Sequence, residues 1–154
     1  MKEEKDIALI EKYPPSESCE CEICQSYCQR PGWWTVEEAR KAIKAGYAKR
    51  MMLEMAPDFS FGVISPAFTG CESNFALQNF AANGCNFYIN NKCELYAKSL
   101  VPLECRFCHH DRIGQGQKCH EDIENDWKTP EGQALVKKWG LRTGLWNKYK
   151  MQFK

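Results

Sequence analysis

Ten cysteines in 154 residues, nine of them bunched, constrain this chain more than any other feature. Cys19, Cys21, Cys24 and Cys28 fall within ten positions, and Cys85, Cys93, Cys105, Cys108 and Cys119 form a looser second group. Only Cys71 stands apart. Thiols gathered in this way have few stable fates: metal coordination, disulfides or redox exchange. Compartment decides among them. The opening residues, Met1-Lys2-Glu3-Glu4-Lys5-Asp6, are charged, and the apolar run behind them, Ile7 to Ile10, is too short for a signal peptide. No stretch approaches the ~20 apolar residues of a spanning helix. The expectation is a cytoplasmic protein without a membrane partner, whose cysteines serve as metal ligands or catalytic thiols before they serve as disulfides.

Spacing sharpens the metal reading. Cys21-Glu-Ile-Cys24 and Cys105-Arg-Phe-Cys108 each have the two-residue gap that lets a tight turn aim two sulfurs at one ion. With Cys19, Cys28, Cys85, Cys93 and Cys119, these turns supply one or two four-thiolate sites. His109, His110 and His120 sit beside cysteines and are additional candidate ligands, as is Cys71. Zinc, slightly favoured, and iron or an iron–sulfur cluster accept the same thiolates. A divalent ion with four thiolates carries a net charge of about −2 that cations must offset. Arg30, Arg106, Arg112, Lys92 and Lys118 lie near cysteines, although the same residues are ordinary solvated charges on any surface. The net charge of +1 argues against a nucleic-acid partner. A metal ion and a protein are the partners left.

The fold class expected is mainly α with a small β element, a single irregular domain over 19–154 organised by its metal, behind an amino-terminal arm over 1–18. Pro14-Pro15-Ser16-Glu17-Ser18 closes that arm. Thr35-Val36-Glu37-Glu38 predicts a capping box, with Val36, Ala39 and Ile43 on one helical face and Gly46 as the stop. Tyr47 to Met55 is expected as a second helix, and Phe59 to Ile64 as a strand. The last third reads as helical, with Thr129-Pro130-Glu131 capping a helix that Gly140 ends. Leu145, Trp146, Tyr149 and Phe153 suit a final amphipathic turn or two. Trp33, Trp34, Trp127, Trp139 and Trp146 are expected as core anchors.

Two short apolar runs flank Asn90-Asn91 and suggest a hairpin over Cys85 to Ala97. A regular hairpin looping through Asn90 to Lys92 would set Cys93 against Ile89 and leave Cys85 roughly 13 Å away. Two sulfurs on one zinc are only about 4 Å apart. Either these thiols serve different sites or the segment is irregular, and the irregular loop is the reading preferred.

Gly84-Cys85-Asn-Phe-Tyr, Cys93-Glu-Leu-Tyr and Pro102-Leu-Glu-Cys105-Arg106 resemble the YkgJ-like cysteine-cluster family, described as zinc- or iron-chelating. The eleven-residue gap from Cys93 to Cys105 fits that pattern, and Ser65-Pro66-Ala67-Phe68 with Gly70-Cys71-Glu72 is similar to a segment of longer members. The likeness spans residues 19 to 120. It departs in the first cluster, where the adjacent cysteine pair of the family's CxxxCxxCC motif is missing. The resemblance implies metal chelation, carried most firmly by Cys85, Cys93 and Cys105, and it delivers no reaction.

Three functions compete at this stage. The first is a metal-binding protein with structural or metal-handling thiolate sites. The second is a metalloenzyme, either an iron–sulfur redox protein or one that modifies a protein substrate or hydrolyses through an open zinc, with His109, His110, His120 and Glu121 as nearby acid–base groups. The third is an interaction module whose aromatic, basic tail contacts a partner.

Overall fold

The computed structural model describes residues 9–15, 21–24, 32–58, 60–90, 92–112 and 114–149. Cys19, Cys28, Arg30, Phe59 and Phe153 lie outside them, as does the side chain of His110. Thr35 starts helix α1 (Val36–Ala42) with the expected capping box: its hydroxyl accepts from Glu38 N at 3.1 Å, and the Glu38 carboxylate accepts from Thr35 N at 3.0 Å. Val36, Ala39 and Ala42 are buried. The helix widens into a π turn at Ile43–Tyr47, where Gly46 takes the left-handed φ of 103° that ends regular winding.

The second helix expected over Tyr47 to Met55 does not form. A 3-10 turn at Ala48–Arg50 leads into strand β1 (Met51–Met55), antiparallel to β2 (Gly62–Pro66), with Met51 opposite Pro66 and Met55 opposite Gly62. Met51, Met52 and Leu53 are all fully buried, the mark of a strand covered on both faces rather than of a helix with one apolar stripe. The strand expected at Phe59 to Ile64 therefore begins later, at Gly62, where it gains β1 as partner.

The hairpin expected from the sequence forms on either side of Asn90 and Asn91, of which Asn91 itself lies outside the described residues. Strands β3 (Tyr88–Ile89) and β4 (Lys92–Cys93) pair antiparallel, with Tyr88 opposite Cys93. Four helices follow: α2 (Leu103–Phe107), α3 (Gly116–Trp127), α4 (Pro130–Thr143) and α5 (Leu145–Tyr149). Thr129 caps α4, its hydroxyl accepting from Gly132 N, and Pro130 takes the first helical position. Gly140 does not end α4. It lies inside the helix because Trp146 packs against it, a Cβ there falling 3.2 Å from that side chain, and Gly144 at φ 85° is the true stop.

Tryptophans tie these pieces together. Trp34, Trp127 and Trp139 are essentially fully buried, and each indole N–H donates to a distant carbonyl: Trp34 to Leu100, Trp127 to Trp34, and Trp139 to Ala48, at 2.7–2.8 Å. Large apolar rings are thus buried without an orphaned donor. Helix α2 is anchored by Glu38, which accepts from Leu103 N at 3.1 Å and pairs with Arg106 at 2.7 Å. The fold is mainly helical with two small antiparallel sheets, and among the described residues no helix is long and apolar enough to cross a membrane.

Candidate functional site

A turn and a hairpin bring Cys85 toward Cys93. Tyr88 N donates to Cys85 O at 3.1 Å, so residues Cys85 to Tyr88 form a turn immediately before the hairpin. A β-turn holds its end Cα atoms within ~7 Å. Cys93 lies directly across from Tyr88. The turn thereby brings Cys85 back toward Cys93, and the separation of a fully extended strand never arises. The segment is a clean hairpin preceded by a turn, rather than an irregular loop. Asn86 clamps it from behind, donating to Arg50 O and Ala67 O while Arg50 holds its side-chain and main-chain oxygens.

Cys105 arrives from α2. Its thiol is pushed well above the ordinary range, first by burial of the sulfur, then by the charges of Cys85, Glu104 and Cys93, and a hydrogen bond from the Gly32 backbone N–H opposes them. Gly32 is required by that close approach: a Cβ there would fall 2.5 Å from Cys105 Sγ and 3.1 Å from its backbone N.

Both cysteines of Cys105-x-x-Cys108 line one cavity, in different surroundings. Cys105 shares its surroundings with Cys85 and Cys93, whereas Cys108 feels Glu104 and Arg112, and burial raises its thiol to about 11. Cys108 Sγ approaches the first turn of α3, 3.3 Å from where a Gly116 Cβ would be. Cys119 stands three residues along the same helix, hence on the same face. It is fully buried, its thiol raised by burial, Glu104, Cys108, Asp122 and Glu38 in that order.

Between these thiols opens a cavity of about 490 Å³, lined by Glu54, Glu104, Cys105, Cys108 and His120 among others. Glu104 bridges it: Oε1 accepts from Trp33 N at 2.9 Å, and Oε2 lies 2.7 Å from His120 Nδ1. That contact, with a smaller opposing effect of burial, raises the imidazole above its usual range. The Trp33 ring stacks on His120 at 4.0 Å between centroids. Glu54, on β1, accepts from Trp33 Nε1 at 3.2 Å and from the Ser65 hydroxyl at 3.3 Å, and burial raises its carboxyl.

The remaining sequence candidates separate. Cys21 and Cys24 do form a tight turn, Cys24 N donating to Cys21 Sγ at 3.5 Å, with Cys21 exposed and Cys24 buried. Cys71 is fully buried in a second apolar cluster with Met52, Ala67 and Phe68, where a thiol serves as a small hydrophobe. His109 is buried, and its Nδ1 accepts from Asp111 N at 3.1 Å. Glu121, read as a base beside His120, instead meets Gln117 at 3.3 Å. Cys19 and Cys28 lie outside the described residues, and of His110 only the backbone is described.

Glu54, Glu104 and Gly32 are the residues that sequence reasoning passed over. Glu104 carried a signal in its place beside Cys105. Glu54 carried none, because the segment around it read as helix. Among the described residues, no group of three or more Cys, His, Asp or Glu side chains stands ready to hold an ion. No family model matches the chain, and neither a curated protein nor a solved structure matches it.

Proposed function

We propose that the chain is a cytoplasmic metal-binding protein that holds zinc or iron through cysteine thiolates, in a structural or metal-handling role. The observation that supports this reading is the approach of Cys85 and Cys93, from a turn and a hairpin strand, to Cys105 on a separate helix, near enough for their charges to raise its thiol, with the Gly32 backbone against the Cys105 sulfur. A buried thiol raised by the charges of its neighbours is poorly served by water, and a thiophilic cation would offset the charge it carries as a thiolate. The Gly32 N–H on Cys105 is the kind of outer hydrogen bond that supports a ligating sulfur. The three described sulfurs do not by themselves close a tetrahedral set. The fourth ligand is assigned on sequence grounds to the Cys19–Cys28 segment, and Cys108 with Cys119 forms a second, weaker candidate pair. The resemblance to the YkgJ-like family points the same way.

The bound ion would hold the hairpin, α2 and the segment before Gly32 together, so folding and metal are coupled. Metal counted per chain in anaerobically purified protein, followed by circular dichroism during chelation, tests this. One or two ions per chain and a marked loss of helicity on stripping are expected. A metal-free chain with unchanged circular dichroism would overturn the reading.

A further inference from the structure

The cavity between β1, α2 and α3 presents, beside Cys105 and Cys108, walls suited to a ligand other than a metal ion. Three features act together. Its volume of about 490 Å³ lies within the range of small-molecule sites. Trp33 and Phe68 give it aromatic wall, and Gln78 and Gln117 give it neutral amides. Among the described residues its wall carries two carboxylates, Glu54 and Glu104, against one imidazole, His120, and no lysine or arginine.

The two carboxylates are not equivalent. Glu104 has His120 beside it, so its charge can be offset within the protein. Among the described residues Glu54 is hydrogen-bonded by two neutral donors, the Trp33 indole and the Ser65 hydroxyl, with His120 as a more distant charge. A buried carboxylate hydrogen-bonded by neutral donors is costly, and an apolar residue would serve the packing of β1 better. Those donors also fix both oxygens while leaving each with further accepting capacity. A rigid carboxylate pair beside aromatic rings fits a planar organic cation, which hydrogen-bonds the oxygens and lays its apolar part on the rings.

We propose that this cavity binds a small organic cation of the amidinium or guanidinium class, with Glu54 as its principal anion and Trp33 and Phe68 as its apolar wall. The cavity shares Cys105 and Cys108 with the thiolate reading, and its test reads binding of an organic cation, whereas that reading is tested by metal content.

The test is isothermal titration of the intact protein with benzamidine, and with benzoate as the isosteric anion. Saturable benzamidine binding without benzoate binding is expected. Glu54→Gln keeps the shape and removes the charge, and should weaken benzamidine by about tenfold or more, the worth of a charge-assisted hydrogen bond. Gln117→Lys, at an exposed wall position that tolerates substitution, should weaken it several-fold by repulsion and keeps the test decisive if the Glu54 variant fails to fold. Equal binding of benzoate, unchanged affinity in either folded variant, no saturable binding at ~10 mM benzamidine, or displacement by Mg²⁺ as readily as by another amidine would each overturn the proposal.

Discussion

Gly32→Ala probes the seat of the Cys105 thiol directly. The added methyl would fall 2.5 Å from Cys105 Sγ, 3.1 Å from Cys105 N and 3.3 Å from Glu104 Cβ. Comfortable contact lies near 3.5–4.0 Å, so a gap of about 1 Å must open on the sulfur side. Little there can yield. Cys105 has a single side-chain torsion, and the segment is held on both sides of the contact, by Trp33 N on Glu104 Oε1 at 2.9 Å and by Glu38 on Leu103 N at 3.1 Å. Overpacking of this kind costs about 1–3 kcal/mol, of which ~0.4–1 kcal/mol returns through the lost freedom of the unfolded glycine. For a chain of this size each kcal/mol shifts Tm by roughly 2–4 °C, so a fall of several degrees is expected under reducing conditions. Cys105→Ala removes the nearest obstacle, so the same glycine substitution in that background should cost less than half as much. Thermal denaturation of the four proteins completes the cycle. Equal cost in both backgrounds, or no cost in either, would refute the placement of the sulfur against this backbone.

Other expectations follow from the cavity and the first helix. Glu54→Gln should raise Tm at pH 7, because burial lifts the folded carboxyl above its unfolded pKa and the folded state is penalised once the group ionises. That gain should vanish as pH falls below ~4.3, where the unfolded glutamate is itself protonated, and a neutral-pH gain of zero would contradict the argument. His120 has the opposite consequence. Glu104 raises its folded pKa, so its contribution is complete below ~6.5 and is lost as pH rises through the folded value. The stability lead of the wild type over His120→Gln, followed by urea denaturation, should therefore shrink between pH 6 and pH 8.5, and a constant lead would count against the pairing. Thr35→Ala removes one half of the capping box and should cost about 1 kcal/mol, read from the urea midpoint, whereas an unchanged midpoint would mean that the cap is not formed.

Local chemistry was legible in the residues; long-range chemistry was not. Thr35 with Glu38, Thr129 with Pro130, and Asn90-Asn91 each announce an element through interactions spanning two to four positions, and each element is present. Met51 to Met55 was misread because its buried run suits a helix or a strand equally, and only pairing with Gly62–Pro66 decides. Gly140 looked like a stop because its packing partner, Trp146, lies six residues on. The Cys85–Cys93 puzzle came from assuming extended chain upstream of the hairpin, whereas a four-residue turn brings Cys85 back. The cysteines advertised themselves by type, whereas the neighbours that raise the Cys105 and Cys119 thiols depend on what α2 and α3 are packed against. Glu54 became visible only once β1 placed it beside Trp33 and Ser65.

X-ray absorption at the metal edge of anaerobically purified protein, wild type beside Cys85→Ser, Cys93→Ser and Cys105→Ser, reaches the central claim most directly. Sulfur neighbours near 2.3 Å in the wild type, with fewer of them or loss of the ion in each variant, are the expected result. An ion surrounded only by oxygen and nitrogen, or a sulfur shell that survives all three substitutions unchanged, would contradict the convergence of these thiols on a metal.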